Sequence, residues 1–399
     1  MSRRPNGAYL HPMRSDRSVS EAAAIERPID TESADSAPAE SVDIRQFRAI
    51  TLGMVSLVVL QAYQALADAG WMGLIYPEQY GGMGGTYKDF AVLAEAIAYH
   101  YAGIAQAYLV SAIYGASHIF KNGNEAQRAE FLPRIMRGEI KFALGISEPA
   151  AGSDVASIRT RAVRQGNEYV INGQKLYTTC AHVADYLIVV AKTNPDGGQA
   201  GISIFIVDAR QPGVTVRPMD MLGRHTSHTN EVFLDDVRTP ATWMIGEENN
   251  GWHCLMACLN VERLGMAAVG TGNSFKVLDY ALDYAKQRVQ FGKPISRFQS
   301  IQHKLADMRI MAENARLLTY RVAELIDHDQ PCIMETSMAK IVATEANFNC
   351  ANHGMQILGG AGYTCDYDME MFFRDARVGP IGGGSNEIQR NIMAKLMDC

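Results

Sequence analysis

Glu262 is the carboxylate in this sequence whose setting best suits proton transfer. It lies in a helical pattern that places it on the same side as the apolar residues Leu255, Cys258 and Met266. No residue three or four positions away is a cation, so no salt bridge along the helix explains it. A carboxyl group among apolar neighbours has a raised pKa and suits general base catalysis near neutral pH. The alternative is a structural carboxylate, paired with an arginine of another helix or with Arg263.

Two loops combine glycine with serine. The first is Phe142-Ala-Leu-Gly-Ile-Ser-Glu-Pro-Ala-Ala-Gly-Ser-Asp-Val155, and its free backbone amides would suit a phosphate group. Taken alone, this segment could equally be an ordinary polar loop. The second loop contains three consecutive glycines at 382–384, followed by Ser385.

A metal site is not predicted. His253, Cys254 and Cys258 lie close together in the sequence, but no second pair of ligands follows them. We interpret the two cysteines as small apolar residues of a helix. The seven cysteines of the chain are scattered, which is typical of a reducing compartment rather than a disulfide framework.

The elements that must position these residues follow the order helical, β, helical. Amphipathic helices are expected from about residue 55 to 140, beginning with a helix around Leu57 that stops at Gly70. Short strand-like runs with turns between them occupy about 142–237 and predict an antiparallel barrel or sandwich, with a hairpin turn at Asn172-Gly173. Long helical patterns return at 252–289, 299–328 and 333–358.

The predicted organisation is a disordered arm at 1–45, which is rich in Ser, Ala, Pro and acidic residues, and then three domains. These are an N-terminal helical domain (46–140), a middle β domain (141–250) and a C-terminal four-helix bundle (251–399). No G-x-G-x-x-G follows a strand, so a Rossmann site is not indicated, and Gly270-Thr-Gly272 is interpreted as a close contact between helices.

Composition excludes other classes of function. The net charge is −6 and no basic stripe is present, so no nucleic-acid partner is expected. No apolar run approaches the roughly 18–20 residues of a membrane span, so no membrane partner is expected either. We expect a cytoplasmic protein, or a mitochondrial one in a eukaryote.

Several of these motifs together resemble the acyl-CoA dehydrogenase family over roughly residues 55–399. The segment 142–155 resembles the first signature of that family, and Arg374-Asp-Ala-Arg-Val-Gly-Pro-Ile-Gly-Gly-Gly-Ser-Asn-Glu-Ile-Gln-Arg390 resembles its C-terminal signature. The resemblance implies an α+β fold of the acyl-CoA dehydrogenase type: an N-terminal helical domain, a middle antiparallel β domain and a C-terminal helical bundle.

The resemblance also implies FAD as the cofactor. Arg288-Val-Gln-Phe-Gly-Lys-Pro-Ile-Ser-Arg-Phe-Gln-Ser-Ile301 and Gln356-Ile-Leu-Gly-Gly360 are similar to segments that reach the FAD of a neighbouring subunit in the family, which implies an oligomer. Tyr177 stands where relatives usually have the Trp that shields the flavin. The residues implied to bind FAD are Leu144, Ile146, Ser147, Gly152, Ser153, Tyr177, Thr179, Arg288, Gln290, Phe291, Ile295, Phe298, Gln356, Gly359, Gly360, Ser385 and Glu387.

The family pattern raises a question about the base. Many members carry a catalytic Glu at the position of Gly383, which cannot accept a proton. The isovaleryl-CoA and long-chain branches use a Glu on an earlier helix instead, and Glu262 in Leu259-Asn-Val-Glu-Arg-Leu264 matches that place. The residues implied to contact substrate are Ser153, Asn260, Arg263, Gly383 and Gly384. Glu148 and Glu387 are the next candidates for the base.

The implied reaction is α,β-dehydrogenation of an acyl-CoA thioester to the trans-2-enoyl thioester, with Glu262 as base and hydride transfer to flavin N5. Three alternatives stay open. The chain could be a reductase of an enoyl-CoA of the crotonobetainyl-CoA type, a dehydrogenase of an acyl group on a carrier protein, or a redox-inactive flavin-binding interaction protein. The implied partners are the acyl-CoA or acyl-carrier protein, electron-transferring flavoprotein or a similar acceptor, and further copies of the chain in a homotetramer.

Overall fold

The first part of the protein is helical. The computed structural model describes residues 59–399, so the predicted arm at 1–45 and the start of the first predicted helix lie outside the described residues. That helix ends as expected, because Gly70 takes a left-handed conformation with φ +78°. The helices of this part are α1 (residues 59–68), α2 (Tyr87–Tyr108), α3 (Ala116–Asn122) and α4 (Glu125–Met136).

Between α2 and α3 the chain widens into a π-helical segment, Leu109–Gly115. Ser111 in this segment hydrogen-bonds the backbone of Phe142, which begins the first strand. A Cβ on Gly115 would lie 2.5 Å from the Phe142 side chain, so only glycine permits this approach. The π-helical segment therefore fixes the helices against the start of the sheet, and π-type turns are frequent at functional sites.

The middle part is one eight-stranded sheet with the strand order β6-β7-β3-β2-β4-β5-β8 and β1 beside β4. The predicted antiparallel sheet is in fact mixed, because β1 and β2 both pair with β4 in parallel. The strands are β1 (Phe142–Gly145), β2 (Arg161–Gln165), β3 (Glu168–Thr179), β4 (Tyr186–Lys192), β5 (Ile202–Asp208), β6 (Val214–Pro218), β7 (Thr229–Pro240) and β8 (Met244–Ile245).

The hairpin predicted at Asn172-Gly173 is wrong. Strand β3 runs straight through these residues, and its register against β7 shifts between Ile171 and Gly173. The Asn172 amide hydrogen-bonds Asp236 on β7, and a Cβ on Gly173 would lie 2.4 Å from the Thr160 hydroxyl. Asn-Gly is thus a β-bulge here. The true two-residue turn is at 166–167, between β2 and β3.

The last part is helical again, and its three long helices match the predicted patterns. A two-stranded ribbon of β9 (Val289–Gln290) and β10 (Lys293–Pro294) separates the first helix from the second. The helices are α5 (Gly251–Gln287), α6 (Gln299–Asp327), α7 (Ile333–Leu358), α8 (Met369–Ala376) and α9 (Asn386–Leu396).

Helix α5 is the central helix of residues 59–399, packing against α2, α6 and α7. Gly270 and Gly272 allow close approach, since a Cβ would lie 2.8 Å from the Ala343 carbonyl oxygen on α7 or 2.1 Å from the Glu95 carbonyl oxygen on α2. This confirms that Gly270-Thr-Gly272 is a helix contact. Leu264 of α5 belongs to the buried apolar cluster that joins these helices.

Candidate active site

Glu262 is buried on α5, and its partner is a histidine rather than an arginine. The His118 Nε2 atom on α3 lies 3.2 Å from Glu262 Oε1, and the His118 side chain is completely buried. The second oxygen, Oε2, makes no hydrogen bond within residues 59–399, and about a tenth of the side-chain surface stays accessible. One oxygen is therefore held and the other is free for a reacting proton.

The glycine loop between α8 and α9 lies next to this part of α5. Gly383 and Gly384 both have positive φ, +63° and +78°. A Cβ on Gly383 would lie 2.2 Å from the Sδ atom of Met266, one turn after Glu262. The backbone N–H groups of Gly383 and Gly384 donate to no group in the described part of the chain, so they are available to a ligand.

Buried side chains hold this loop in place. The Lys340 ammonium on α7 donates to the Gly384 carbonyl at 3.0 Å and to the Asn386 side chain at 2.9 Å. Gln389 Nε2 also donates to the Gly384 carbonyl, at 3.1 Å. Because these contacts use the Gly384 carbonyl, the N–H groups of Gly383 and Gly384 stay free to donate, as the donors of an oxyanion hole must be.

Arg263 contributes an unpaired donor beside the loop. Its side chain is buried, its Nε has no hydrogen-bond partner among the described residues, and its Nη2 would lie 3.9 Å from a Cβ on Gly384. Burial lowers the pKa of Arg263, against the charge of Glu262, but an arginine remains protonated. Asn260, by contrast, makes only a weak contact of 3.8 Å to the sulfur of Cys332.

The two reserve candidates for the base do not fit that role. Both oxygens of Glu148 are occupied, by the backbone N–H groups of Arg159 and Thr160 and by the Lys175 ammonium at 2.7 Å. Burial acts to raise the pKa of Glu148, but Lys175 and these hydrogen bonds outweigh it and lower the pKa. Glu387 is exposed in the first turn of α9, with a pKa lowered by backbone N–H and Ser385 hydrogen bonds.

The ends of β1 and β3 bring a second set of predicted residues together. The Leu176 N–H donates to the Ser147 carbonyl at 2.8 Å, and Lys175 donates to the Ile146 carbonyl at 3.0 Å. Tyr177 follows in a bulge with φ +58° and is 56% exposed. Leu144 and Thr179 are partly exposed at the same edge, and Gly152 and Ser153 lie in an exposed turn.

Unsatisfied polar atoms lie at this edge. Thr178 Oγ1 and Asn230 Oδ1 are buried and have no hydrogen-bond partner within residues 59–399. Such atoms are rare in folded proteins unless a water or ligand completes them. An exposed aromatic ring beside unpaired hydroxyl and amide groups suits a planar heterocycle such as an isoalloxazine ring.

A third set of predicted residues lines a cavity of about 630 Å³ at the far end of α5. Arg288, Gln290, Phe291, Ile295, Phe298 and Gly360 all contribute to its wall. Gln356 and Gly359 stand nearby on the end of α7 and just beyond it, and a Cβ on Gly359 or Gly360 would meet open space. The volume and the mixture of aromatic rings with a guanidinium suit a nucleotide. None of the predicted residues from 144–179 lines this cavity.

The remaining expectations concern Ser385 and metals. Ser385 caps α9, accepting a hydrogen bond from the Ile388 N–H at 3.4 Å.

Within residues 59–399 no group of three His, Cys, Asp or Glu side chains is placed to hold a metal ion. Cys254 and Cys258 are buried on α5. No helix among the described residues is long and apolar enough to cross a membrane.

Sequence reasoning missed His118 and Met266. His118 is 144 positions from Glu262, and no pattern of spacing joins residues so far apart. The only signal was a polar residue within the apolar run of α3. Met266 was recognised as apolar, but its contact with Gly383 depends on how the last loop folds back over α5.

The three domains of one family match the chain in order. These are the acyl-CoA dehydrogenase N-terminal domain over residues 56–139, the middle domain over 143–237 and the C-terminal domain over 249–397. An acyl-CoA dehydrogenase of Bacillus subtilis is 40% identical over 338 residues, 84% of this chain and 89% of the relative. CarC of Acetobacterium woodii, named as a subunit of a caffeyl-CoA reductase–Etf complex, is 36% identical, covering 83% and 88%.

Solved structures agree. Butyryl-CoA dehydrogenase from Megasphaera elsdenii superposes with a TM-score of 0.82 at 35% identity, covering 84% of this chain and 89% of the other. The fold and the site thus define a three-domain flavoprotein. The chain belongs to the acyl-CoA dehydrogenase family, whose members are FAD-binding oxidoreductases and typically homotetramers. The predicted fold class, the prediction of an enzyme and that of FAD as cofactor are confirmed.

Proposed function

We propose that this chain catalyses the α,β-dehydrogenation of an acyl-CoA thioester and that Glu262 removes the α proton. The observation that carries the proposal is the buried carboxylate on α5 with one oxygen free, next to a glycine loop that has no carboxylate of its own. Glu148 is occupied by Lys175 and two backbone N–H groups, and Glu387 is exposed on α9. Bound FAD would supply the acceptor for the two electrons and the β hydrogen.

The glycine loop would polarise the substrate. The free N–H of Gly383 can donate to the thioester carbonyl, and the unpaired Nε of Arg263 lies beside the same loop. Negative charge on that oxygen develops as the α proton leaves, so preorganised donors there lower the barrier. The base and these donors together hold the α carbon between a proton acceptor and an electron-withdrawing carbonyl.

The cofactor would be held at two places. Leu144, Ile146, Ser147, Tyr177 and Thr179 would surround the ring system at the edge of β1 and β3, with Gly152 and Ser153 near the pyrophosphate. Arg288, Gln290 and the other cavity residues would grip the nucleotide end of a neighbouring subunit's FAD. The separation of the two sets in the fold supports an oligomer, because one copy does not join them.

Replacement of Glu262 by Gln tests the proposal. The amide keeps the shape of the side chain but cannot accept a proton, so flavin reduction should slow by about 10²–10⁴-fold, the usual contribution of a general base. The measurement is anaerobic stopped-flow bleaching of the bound flavin by butyryl-CoA, isovaleryl-CoA, octanoyl-CoA and 3-phenylpropionyl-CoA.

The matched control is Glu130→Gln, an exposed carboxylate on α4, which should bleach at the wild-type rate. If Glu262→Gln retains FAD and bleaches as fast as wild type with every thioester that reduces wild type, Glu262 is not the base.

The reverse reaction is the second candidate, because one relative is named as a caffeyl-CoA reductase subunit. A reductase would use Glu262 in its protonated form, giving its proton to the α carbon of an enoyl thioester. Mixing the photoreduced protein with crotonyl-CoA or cinnamoyl-CoA separates the two directions. Rapid reoxidation by the enoyl-CoA, with little bleaching by the saturated thioester, would assign the reductive direction.

The substrate carrier and the electron acceptor remain predictions. A thioester on a carrier protein would be identified as the substrate if acyl-carrier protein bleaches the flavin and the matching acyl-CoA does not. Electron-transferring flavoprotein is proposed as the acceptor, and one relative is named as part of a complex with it. The cytoplasmic location, or mitochondrial in a eukaryote, also stays a prediction.

A further inference from the structure

His118 is the only hydrogen-bond partner of the Glu262 side chain within residues 59–399. The imidazole is completely inaccessible to solvent, and Nε2 lies 3.2 Å from Glu262 Oε1. Its other nitrogen, Nδ1, has no hydrogen-bond partner in the described part of the chain. Its one hydrogen bond among the described residues is therefore with the carboxylate assigned as base, and the Cys258 thiol is a second polar neighbour.

A buried base needs a donor of this kind. A carboxylate surrounded by apolar groups tends to keep its proton, because desolvation disfavours the charged form. A protonated carboxyl group cannot take a proton from the substrate. An N–H aimed at one oxygen stabilises the ionised form, and it also fixes the plane of the carboxylate so that the second oxygen points away from the donor.

We propose that His118 is the positioning residue of the catalytic base: its Nε2–H holds Oε1 of Glu262, keeps the carboxylate ionised in its apolar site and leaves Oε2 facing the substrate. This inference rests on the proposed role of Glu262. The fold supports it, because α3 follows directly on the π-helical segment that is anchored to β1 through Ser111.

The groups around the pair act on the charge of His118. Burial acts to lower the pKa of His118, but Cys258 and Glu262 outweigh it and raise the pKa to about 10. On α5, Arg263 adds a cation whose pKa is lowered by burial and opposed by Glu262. On the π-helical segment, burial and Glu262 together raise the pKa of Tyr114 well above neutral. Arg263 and Tyr114 therefore keep one protonation state through neutral pH.

Two substitutions separate charge from hydrogen bonding. His118→Gln keeps an N–H donor without the charge, and His118→Leu removes both. Loss of the donor destabilises the ionised carboxylate, so Glu262 holds its proton to higher pH and the rising limb of the rate profile moves upward. For His118→Leu we expect a shift of about one pH unit or more, which is about a tenfold slower flavin reduction at pH 6. For His118→Gln the shift should be smaller, with a high-pH plateau near that of wild type.

The experiment uses the full-length holoenzyme and two measurements. The first is the pH profile of flavin reduction, from about pH 5 to 9, with the thioester that bleaches wild type fastest. The second is independent of turnover: the pH titration of the long-wavelength absorption that a 3-thia-acyl-CoA gives beside oxidised flavin once its α carbon is deprotonated. His303→Leu, an exposed histidine on α6, is the matched control, and Cys258→Ala reports on the neighbouring thiol.

The outcomes are distinct. Upward shifts in both measurements, larger for His118→Leu than for His118→Gln and absent in His303→Leu, support the positioning role. Profiles of both variants that superimpose on wild type overturn it and make His118 a space-filling residue. If His118→Leu is recovered without FAD, His118→Gln decides by the same criterion. Glu262→Gln is measured in parallel. Wild-type rates in that variant would show that Glu262 is not the base, whereas a slow Glu262→Gln with unshifted His118 variants would rule out only the positioning role of His118.

Discussion

Met266 occupies the space in which a side chain at position 383 would begin. At the scale of single residues, Met266 leaves no room at position 383 for the carboxylate side chain that many members of the family carry there. A Cβ at 383 would lie 2.2 Å from the Met266 sulfur, and the backbone φ of +63° adds a cost of about 1–2 kcal/mol for any other residue. Glu262, the proposed base, and Met266, which fills the space of the alternative base, are thus neighbours on α5.

Moving the base to the loop should therefore require two changes. In the Glu262→Gln background we expect Gly383→Glu alone to restore little, because Met266 blocks it. Adding Met266→Ala should make flavin reduction at least about tenfold faster than in Glu262→Gln/Met266→Ala, a part of the 10²–10⁴-fold that a general base supplies. Stopped-flow bleaching measures this, and Gly383→Gln is the control. Equal recovery with Met266 retained would show that the methionine moves aside freely.

Residue types predicted some of this site and could not predict the rest. Glu262 could be found because its helix is apolar and contains no cation one turn away, so a buried carboxylate followed from periodicity. His118 could not, because its pairing depends on the packing of α3 against α5. Pairings between distant elements leave no trace in local spacing. The alternative of a structural carboxylate paired Glu262 with an arginine, where the structure has an imidazole.

At the scale of elements, the buried pair of Glu148 and Lys175 ties the loop after β1 to strand β3. Replacing Glu148 by Gln leaves the buried ammonium unpaired, which typically costs about 3–5 kcal/mol. We expect urea unfolding at pH 7 to show a loss of this order, and Glu130→Gln to show none. Glu148→Gln/Lys175→Met should lose less than Glu148→Gln, since it removes both charges. An equal or larger loss in the double variant would contradict this account.

The same pair gives a pH dependence. The folded-state pKa of Glu148 is lowered below its ordinary value of 4.5, mainly by Lys175 against the effect of burial. Its contribution to stability is therefore complete above about pH 4.5 and is lost as the pH falls through the lowered pKa. The difference in unfolding free energy between wild type and Glu148→Gln should shrink below about pH 4. A difference that stays constant down to pH 3 would argue against it.

Helices and strands were more predictable than the turns between them. The patterns for α5, α6 and α7 correspond closely to the observed helices, because a helical repeat of apolar residues sustained over a long segment indicates a helix and not a strand. The hairpin prediction at Asn172-Gly173 failed because the same dipeptide also occurs at a bulge within a continuous strand. Only the pairing with β7 distinguishes the bulge from a hairpin turn. The parallel pairing of β1 with β4 was equally invisible, because β2 and β3 lie between these strands in the sequence and local spacing does not show strand direction.

At the scale of the whole molecule, the ribbon β9–β10 exposes apolar residues that a single copy leaves in water. Phe291 is 94% exposed and Val289 is 52% exposed, both at the mouth of the cavity or beside it. Exposed patches of this kind mark interfaces. We therefore expect the holoprotein to sediment as a dimer or tetramer.

Phe291→Ser should weaken that assembly. Burying a phenylalanine side chain stabilises by about 2 kcal/mol, which corresponds to about a 30-fold rise in the subunit dissociation constant when it is lost. Sedimentation velocity over a dilution series measures this, and FAD should be released as the subunits separate. Val163→Ser, an exposed apolar residue on β2, is the control. A wild-type holoprotein that sediments as a monomer would contradict the assignment of the cavity to a neighbour's cofactor.

The length of α5 has a genetic consequence. Glu262 and Arg288 stand 26 residues apart along this helix and its end, which is about 39 Å at 1.5 Å per residue. If the cavity serves a neighbour, each catalytic centre combines a base from one chain with an arginine from another. Subunits carrying Glu262→Gln and subunits carrying Arg288→Ser would each be inactive alone. In a mixed dimer the two defects fall together on one centre and leave the other intact. Co-expression of the two dead variants should therefore recover activity by complementation, approaching half of the centres in every mixed pair.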